Sequence, residues 1–141
     1  MAGLTKGMIF DVRSRREVRI PDDFYDNPEY KNVKAVICIY FERTGEIRII
    51  PMTRSGGARV RLEVEKVNPA LMQTMTHLFK EQDLKVLYTT GFCFERNRCV
   101  YEVYFATDDI QEKAPRIKEI IEDIPGLYES EFEILEMGKE W

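Results

Sequence analysis

The sequence predicts an α+β protein of 141 residues, long enough for one chain to bury its own core. Three observations lead there. Val60, Leu62 and Val64 alternate with Arg59, Arg61, Glu63 and Glu65, which marks a strand with one dry face and one wet face. Asn68-Pro69 followed by Leu71, Met75, Leu78 and Phe79 at helical spacing marks a capped amphipathic helix. From residue 58 to 136 the signals run strand, helix, strand, strand, helix, strand. The composition, 44% apolar and 33% charged, is that of an ordered chain.

The first third is less regular. Met8–Val12 and Glu17–Ile20 have the apolar content of short strands, with Arg13-Ser14-Arg15-Arg16 as the turn between them. Pro21 ends the second by removing a ladder donor. Asp22–Lys31 reads as a loop or a short helix. Val33–Glu42 and Glu46–Met52 then form a hairpin across Arg43-Thr44-Gly45, where Gly45 supplies the positive φ of a tight turn. Ser55-Gly56-Gly57 is the expected flexible boundary, dividing a β-rich extension, 1–57, from a unit spanning 58–141. The extension is expected to pack on the same core.

Beyond that boundary each element has its own signal. The Asn68-Pro69 helix should bury its apolar stripe, a gross transfer gain of roughly 6–12 kcal/mol for four side chains before entropy is subtracted. Leu84–Phe94 and Cys99–Ala106 make a second hairpin across Glu95-Arg96-Asn97-Arg98, with Asn97 suited to a left-handed turn position. Thr107-Asp108-Asp109 caps a second helix with apolar positions Ile110, Ala114, Ile117, Ile121 and Ile124. Pro115 lies inside that stretch and predicts a broken or late start. Pro125-Gly126 stops the helix, and Phe132 and Ile134 among Glu131, Glu133 and Glu136 give a last strand.

This order is the split βαβ, ferredoxin-like arrangement, here with an N-terminal β-hairpin extension. Within it, Val64-Glu65-Lys66-Val67-Asn68-Pro69-Ala70-Leu71-Met72 resembles the strand-to-helix junction of ACT domains. Those are small regulatory modules that usually bind amino acids at a dimer interface. Their junction is an acid, any residue, Pro, Gly, then two aliphatics. Pro69, Leu71 and Met72 match it, while Val67 stands at the acid and Ala70 at the Gly. The resemblance covers residues 58–136. It implies a homodimeric module whose ligand meets Asn68, Pro69, Ala70 and Leu71, with Val86, Tyr88 and Thr90 lining the other side of the cleft. The alternative architecture is a roadblock- or longin-like sheet in which Val33–Met52 is the central hairpin, and a protein is the partner.

Each group with chemical potential has an ordinary reading beside it. The start of the Asn68 helix offers free amides and a positive dipole end to a carboxylate, as every helix start does. Arg54-Ser55-Gly56-Gly57-Ala58-Arg59 has glycines between two guanidiniums for a phosphate, yet lacks a P-loop ending and leads into a strand. A solvated hinge is the simpler reading. Cys93 and Cys99 sit on opposite arms of a hairpin and are read as ordinary thiols; zinc would need Cys38 and His77 to converge on them. His77 falls off the apolar stripe of its helix and should be exposed. Asp22-Asp23, Asp108-Asp109 and Glu122-Asp123 are acids at caps, turns or polar helix faces. One His and no arranged nucleophile argue against an enzyme, and neither cofactor nor metal is expected.

Charge and composition set the partners. The net charge of −4 argues against general nucleic-acid binding. The RNA-recognition platform would need stacking aromatics where this chain has Val100 and Glu102. Residues 1–66 carry 13 Lys/Arg against 10 Asp/Glu, and residues 67–141 carry 8 against 15, so oppositely signed halves can attract within or between chains. Three Gln and four Asn among many Glu, Lys and Arg give a thermophile-like composition. No apolar run approaches the ~18–20 residues of a membrane span, and the start of the chain lacks a signal-peptide layout. Three cysteines cannot pair completely, which points to a reducing cytoplasm. The expected function is a non-catalytic regulatory domain binding a small carboxylate, an amino acid, in a homodimer. A protein-interaction module with aromatic surface at Tyr40, Phe41, Tyr88, Phe92 and Phe94 is the alternative.

Overall fold

The alternating segment around Val60 forms an inner strand, flanked on both sides. In this computed structural model, which describes residues 5–26 and 33–138, it is β3 (Gly56–Val64). Its neighbours are β5 (Arg98–Thr107) and β6 (Leu127–Leu135), and β4 (Lys85–Glu95) lies beyond β5. The order β4-β5-β3-β6 is antiparallel throughout, which is the ferredoxin-like sheet expected of residues 58–136. The placement of β3 beside the last strand is the test that this reading had to pass.

Two helices cover one face. The first of these, α2 (Pro69–Glu81), follows α1 of the N-terminal segment described below; α3 (Ile110–Glu122) is the second. Alternation on β3 and β5 sends Val60, Leu62, Val64, Tyr101, Val103 and Phe105 inward against Leu71, Met75, Leu78, Ile117 and Ile121. Helix α3 runs unbroken through Pro115, contrary to the expected interruption. The proline is exposed, and the amide it lacks would have bonded Gln111, whose residue is also exposed, so water can satisfy that carbonyl. The cap differs as well: Asp109 takes a left-handed conformation and makes no side-chain cap bond.

The opposite face is partly covered by a separate two-stranded sheet, β1 (Ala35–Tyr40) with β2 (Ile47–Met52). Ile37, Ile39 and Met52 form a second cluster with Ala106, edged by Leu87, Tyr88, Tyr104 and Leu135. The hairpin is therefore an added layer, and the alternative in which it is central to one large sheet is not the observed topology. Its turn is closed as expected by Gly45 at φ 78°, whose N–H donates to the Phe41 carbonyl at 2.8 Å. Asn97 does not take the left-handed conformation expected at the other hairpin turn.

Contact-dense units divide between Lys31 and Asn32, so the hairpin belongs with the four-stranded sheet and not with residues 1–31. In the first unit, α1 (Asp22–Asp26) is the one regular element among the described residues. The strands expected at Met8–Val12 and Glu17–Ile20 are absent there. Arg13 turns back on the Asp11 carboxylate instead of closing a hairpin, and Ile9 is 98% exposed, with no packed face to stabilise an isolated strand pair. The rest of the expected Asp22–Lys31 loop or helix, 27–31, lies outside the described residues.

Candidate functional site

The start of α2 is built as the sequence implies, and its own cap consumes most of it. Asn68 is extended, and its Oδ1 accepts from the Leu71 N–H at 2.9 Å. The Met72 N–H donates to the Asn68 carbonyl at 3.1 Å. Pro69 has no N–H. Among the described residues this leaves the Ala70 N–H as the one amide of the first turn without a protein partner. Leu71 is buried and belongs to the core.

The residues expected across the cleft are not assembled with it in one chain. Val86 pairs with Phe105 and packs on the helix-side core. A register shift between Val86 and Tyr88 then puts Tyr88 opposite Tyr104 and Thr90 opposite Glu102, on the other face. There Tyr88 lies under the hairpin, edge-on to Phe41 at 5.4 Å with the Arg48 guanidinium 4.9 Å above its ring. The start of α2 follows Val64, which is level with Cys99, while Val86 is level with Phe105. Six strand residues separate those levels, about 20 Å.

What does stand beside the start of α2 is Gly91. A Cβ built on Gly91 would meet Val67, the residue before the cap, at 3.8 Å. Gly91 pairs with Tyr101, whose buried hydroxyl makes no hydrogen bond of normal geometry among the described residues, the Thr89 hydroxyl being the nearby group. Burial pushes the Tyr101 pKa up, and the neighbouring Thr89 hydroxyl opposes that rise. Sequence reasoning missed Thr89, Gly91 and Tyr101. A glycine inside a strand was the available signal, since it marks a close approach.

The other candidates are accounted for by the fold. Gly56 and Gly57 are the first residues of β3 rather than a hinge, and a Cβ on Gly57 would come within 2.5 Å of the Phe105 carbonyl oxygen. Arg54 is bonded to Asp83, and Arg59 reaches Glu102, Glu131 and Glu133 at 3.1, 2.7 and 3.0 Å, so neither flanks an open phosphate cradle. Burial lowers the Arg59 pKa, but the three glutamates outweigh it and the net shift is upward. His77 is exposed, on a shallow depression of about 250 Å³ with Met72, Gln73, Thr76 and Lys80. A second depression of about 260 Å³ lies between Lys118, Glu122, Ser130 and Glu131. Neither touches a residue of the expected ligand site. Among the described residues no group of three or more His, Cys, Asp or Glu is arranged for a metal.

Cys93 and Cys99 are bonded to each other, which corrects their reading as free thiols and leaves Cys38 as the free cysteine. They are direct partners across the β4–β5 ladder, so their Cβ atoms point to the same face and come within bridging reach. One of the three cysteines stays unpaired, as the odd count requires, while the other two form a bridge that the sequence reading does not expect. Among the described residues no helix is long and apolar enough to cross a membrane.

No family model matches the chain, and no curated protein matches it either. Among solved structures it is similar to a formyltetrahydrofolate deformylase from Pseudomonas putida KT2440, at a TM-score of 0.42 and 17% sequence identity. The match covers 56% of this chain and 28% of that one, so the chain spans less than a third of that protein's length.

Proposed function

We propose that this chain is a non-catalytic, ACT-like regulatory module that binds a small carboxylate, an amino acid, between two copies of itself. The observation that carries the reading is the position of Gly91. It lies on an edge strand and against Val67, the residue before the cap of α2. Whatever pairs with the outer side of β4 is thereby brought to the one unclaimed amide, Ala70 N–H.

A second copy suits that edge. In an antiparallel pairing with its two-fold at Thr90, Lys85 faces Glu95 of the other copy, and Tyr88 faces Phe92. The same register sets Gly91 opposite Thr89 of the second copy. A ligand carboxylate there accepts from the Ala70 N–H and from that threonine hydroxyl, at the positive end of the helix. The Ala70 methyl leaves room for a small ligand only. Thr89 replaces Tyr88 and Thr90 as the hydroxyl donor in this reading, because the latter two face away.

Sedimentation equilibrium and a melting screen of the twenty amino acids test the two halves separately. We expect a dimer that Lys85→Glu weakens and Lys85→Glu with Glu95→Lys restores. One amino acid at 100 times its Kd should stabilise the chain by about 2.7 kcal/mol, and Gly91→Val should abolish that response. A monomer at high concentration removes the shared site. A dimer silent to all twenty leaves a protein-interaction module, the second reading, whose support is the exposed pair Phe92 and Phe94 with ring centroids 6.5 Å apart.

A further inference from the structure

The Cys93–Cys99 bridge is asymmetric. Cys93 lies on the edge strand β4 and is exposed, whereas Cys99 lies on the inner strand β5 and is 2% exposed. An external thiolate can therefore reach one sulfur of the pair and not the other. The bridge is also redundant for topology. It joins residues six apart in a hairpin already paired at Phe92 with Val100 and at Glu95 with Arg98. Arg98 further holds this end through Glu63 at 3.1 Å and over the Tyr128 ring at 5.2 Å. Closing so short a loop removes less unfolded-chain freedom than a long-range bridge does.

The reduced form has a place to sit as well. Cys99 Sγ is 3.8 Å from the Glu65 carbonyl oxygen, a part-buried acceptor for a thiol hydrogen. Cys93 would carry its thiol into solvent. One backbone thus accommodates both oxidation states, which a reversible pair requires and a structural staple does not.

We infer that Cys93 and Cys99 form a thiol–disulfide exchange site for low-molecular-weight thiols. The dimer reading above pairs the backbone edge of β4, while the Cys93 side chain projects from the sheet face towards Cys99 and not along that edge. A thiolate of the glutathione class attacks Cys93 Sγ, and the Cys93–Cys99 bond breaks as the new sulfur–sulfur bond forms. Cys99 leaves as thiolate, takes a proton from solvent admitted as the bridge opens, and as a thiol donates a hydrogen bond to the Glu65 carbonyl. A second thiolate attacks the external sulfur of the mixed disulfide and releases Cys93 as a thiolate, which is then protonated. The protein gains two electrons and two protons, and two external thiols become one disulfide. The reverse sequence uses that disulfide as oxidant. The exchange acts at Cys93, an exposed residue of β4 whose sequence neighbours Phe92 and Phe94 are also exposed.

The test equilibrates the intact chain in graded mixtures of reduced and oxidised glutathione, quenches with an alkylating agent under denaturing conditions so that both cysteines are reached, and reads cysteine occupancy by mass. Exposed Cys38 is the internal control for alkylation. We expect Cys93 and Cys99 to pass together from bridged to alkylated within the series, with the far-ultraviolet circular dichroism unchanged. Cys99→Ser should trap glutathione on Cys93, while Cys93→Ser should leave Cys99 unmodified in the folded protein. A bridge that survives the most reducing mixture overturns the inference, as do thiols that persist in the most oxidising one. Loss of the fold on reduction would make the bridge a structural staple. Equal capture of glutathione by Cys99 would refute the asymmetry.

Discussion

Towards its helices the four-stranded sheet presents Val60, Leu62, Tyr101, Val103 and Phe105, all of them buried. Towards the other side the same strands present Arg59, Arg61, Glu102, Glu131 and Glu133, and within the Asn32–Trp141 unit the hairpin β1–β2 covers one end of that face among the described residues. The first face is closed by packing that either fits or does not. The second is held by three glutamates gathered on one arginine and by a small apolar patch around Ala106. The difference teaches where the fold's stability lies and where there is latitude for function. The helix side fixes the strand order, while the other face carries charge and a smaller apolar patch, and β4 is an edge strand.

Truncation should separate the two faces most sharply. Phe105→Ala empties the centre of the helix-side core and should cost about 3–5 kcal/mol, lowering the urea midpoint of the whole Asn32–Trp141 unit. Ile39→Ala removes an equally buried side chain from the hairpin patch, yet should cost only about 2 kcal/mol, the low end for such changes, because a two-stranded layer can shift to close the gap. Amide hydrogen exchange distinguishes them: the first variant should speed exchange throughout β3 and β5, the second mainly in β1 and β2. If Ile39→Ala opens all strands together, the hairpin is part of one cooperative core and the comparison fails.

Charge on the second face gives a smaller effect. Arg59→Met keeps the aliphatic stem and leaves Glu102, Glu131 and Glu133 without their common cation. The loss should be about 1–2 kcal/mol, towards the lower figure because Glu131 and Glu133 are more than half exposed and solvent screens them. Urea titrations at low and high salt check the cause. A deficit that shrinks with salt reports repulsion among the glutamates. One indifferent to salt would mean that Arg59 acts by packing.

These faces were not equally legible in the sequence. The Arg/Val alternation of β3, the Asn68-Pro69 start of α2 and the Pro125-Gly126 stop all act locally, so composition alone reveals them. The hairpin shows that Ile37 and Ile39 need a partner, but its partner surface (Leu87, Tyr88, Tyr104, Ala106 and Leu135) comes from three strands and has no linear pattern. The expected grouping of Val86 with Tyr88 and Thr90 on one face is undone by one residue. An extra residue at Leu87 breaks the alternation from Val86 to Thr90, and no sequence signal marks that bulge. The Cys93–Cys99 bridge depended likewise on the hairpin register, which places them directly opposite each other. Pro115 is tolerated inside α3 because the carbonyl it leaves unbonded belongs to exposed Gln111, an exposure that no local sequence pattern marks.

The junction between the two faces supplies the smallest test, and its sign can be worked out. Ser55 lies between β2 of the hairpin and β3 of the sheet, and Asp108 accepts from its N–H at 3.0 Å and its hydroxyl at 2.9 Å. The Ser55 N–H, then its hydroxyl, hold the Asp108 carboxyl below the ordinary value of 3.8, with Lys34 and Arg54 assisting against a small cost of burial. Because the folded pKa lies below the unfolded one, the contribution is present above the unfolded pKa and is lost as pH falls through the folded value. Asp108→Asn keeps an acceptor but not the charge. Its melting temperature should therefore lie slightly below that of the unsubstituted chain at pH 7, and the gap should close as pH falls below the ordinary carboxylate range. Hydrogen exchange in β1 and β2 should rise with the same pH dependence if this contact ties the hairpin to the sheet. A gap that stays constant down to strong acid would mean that the carboxylate charge contributes nothing at this junction, leaving the Ala106 patch alone to hold the hairpin.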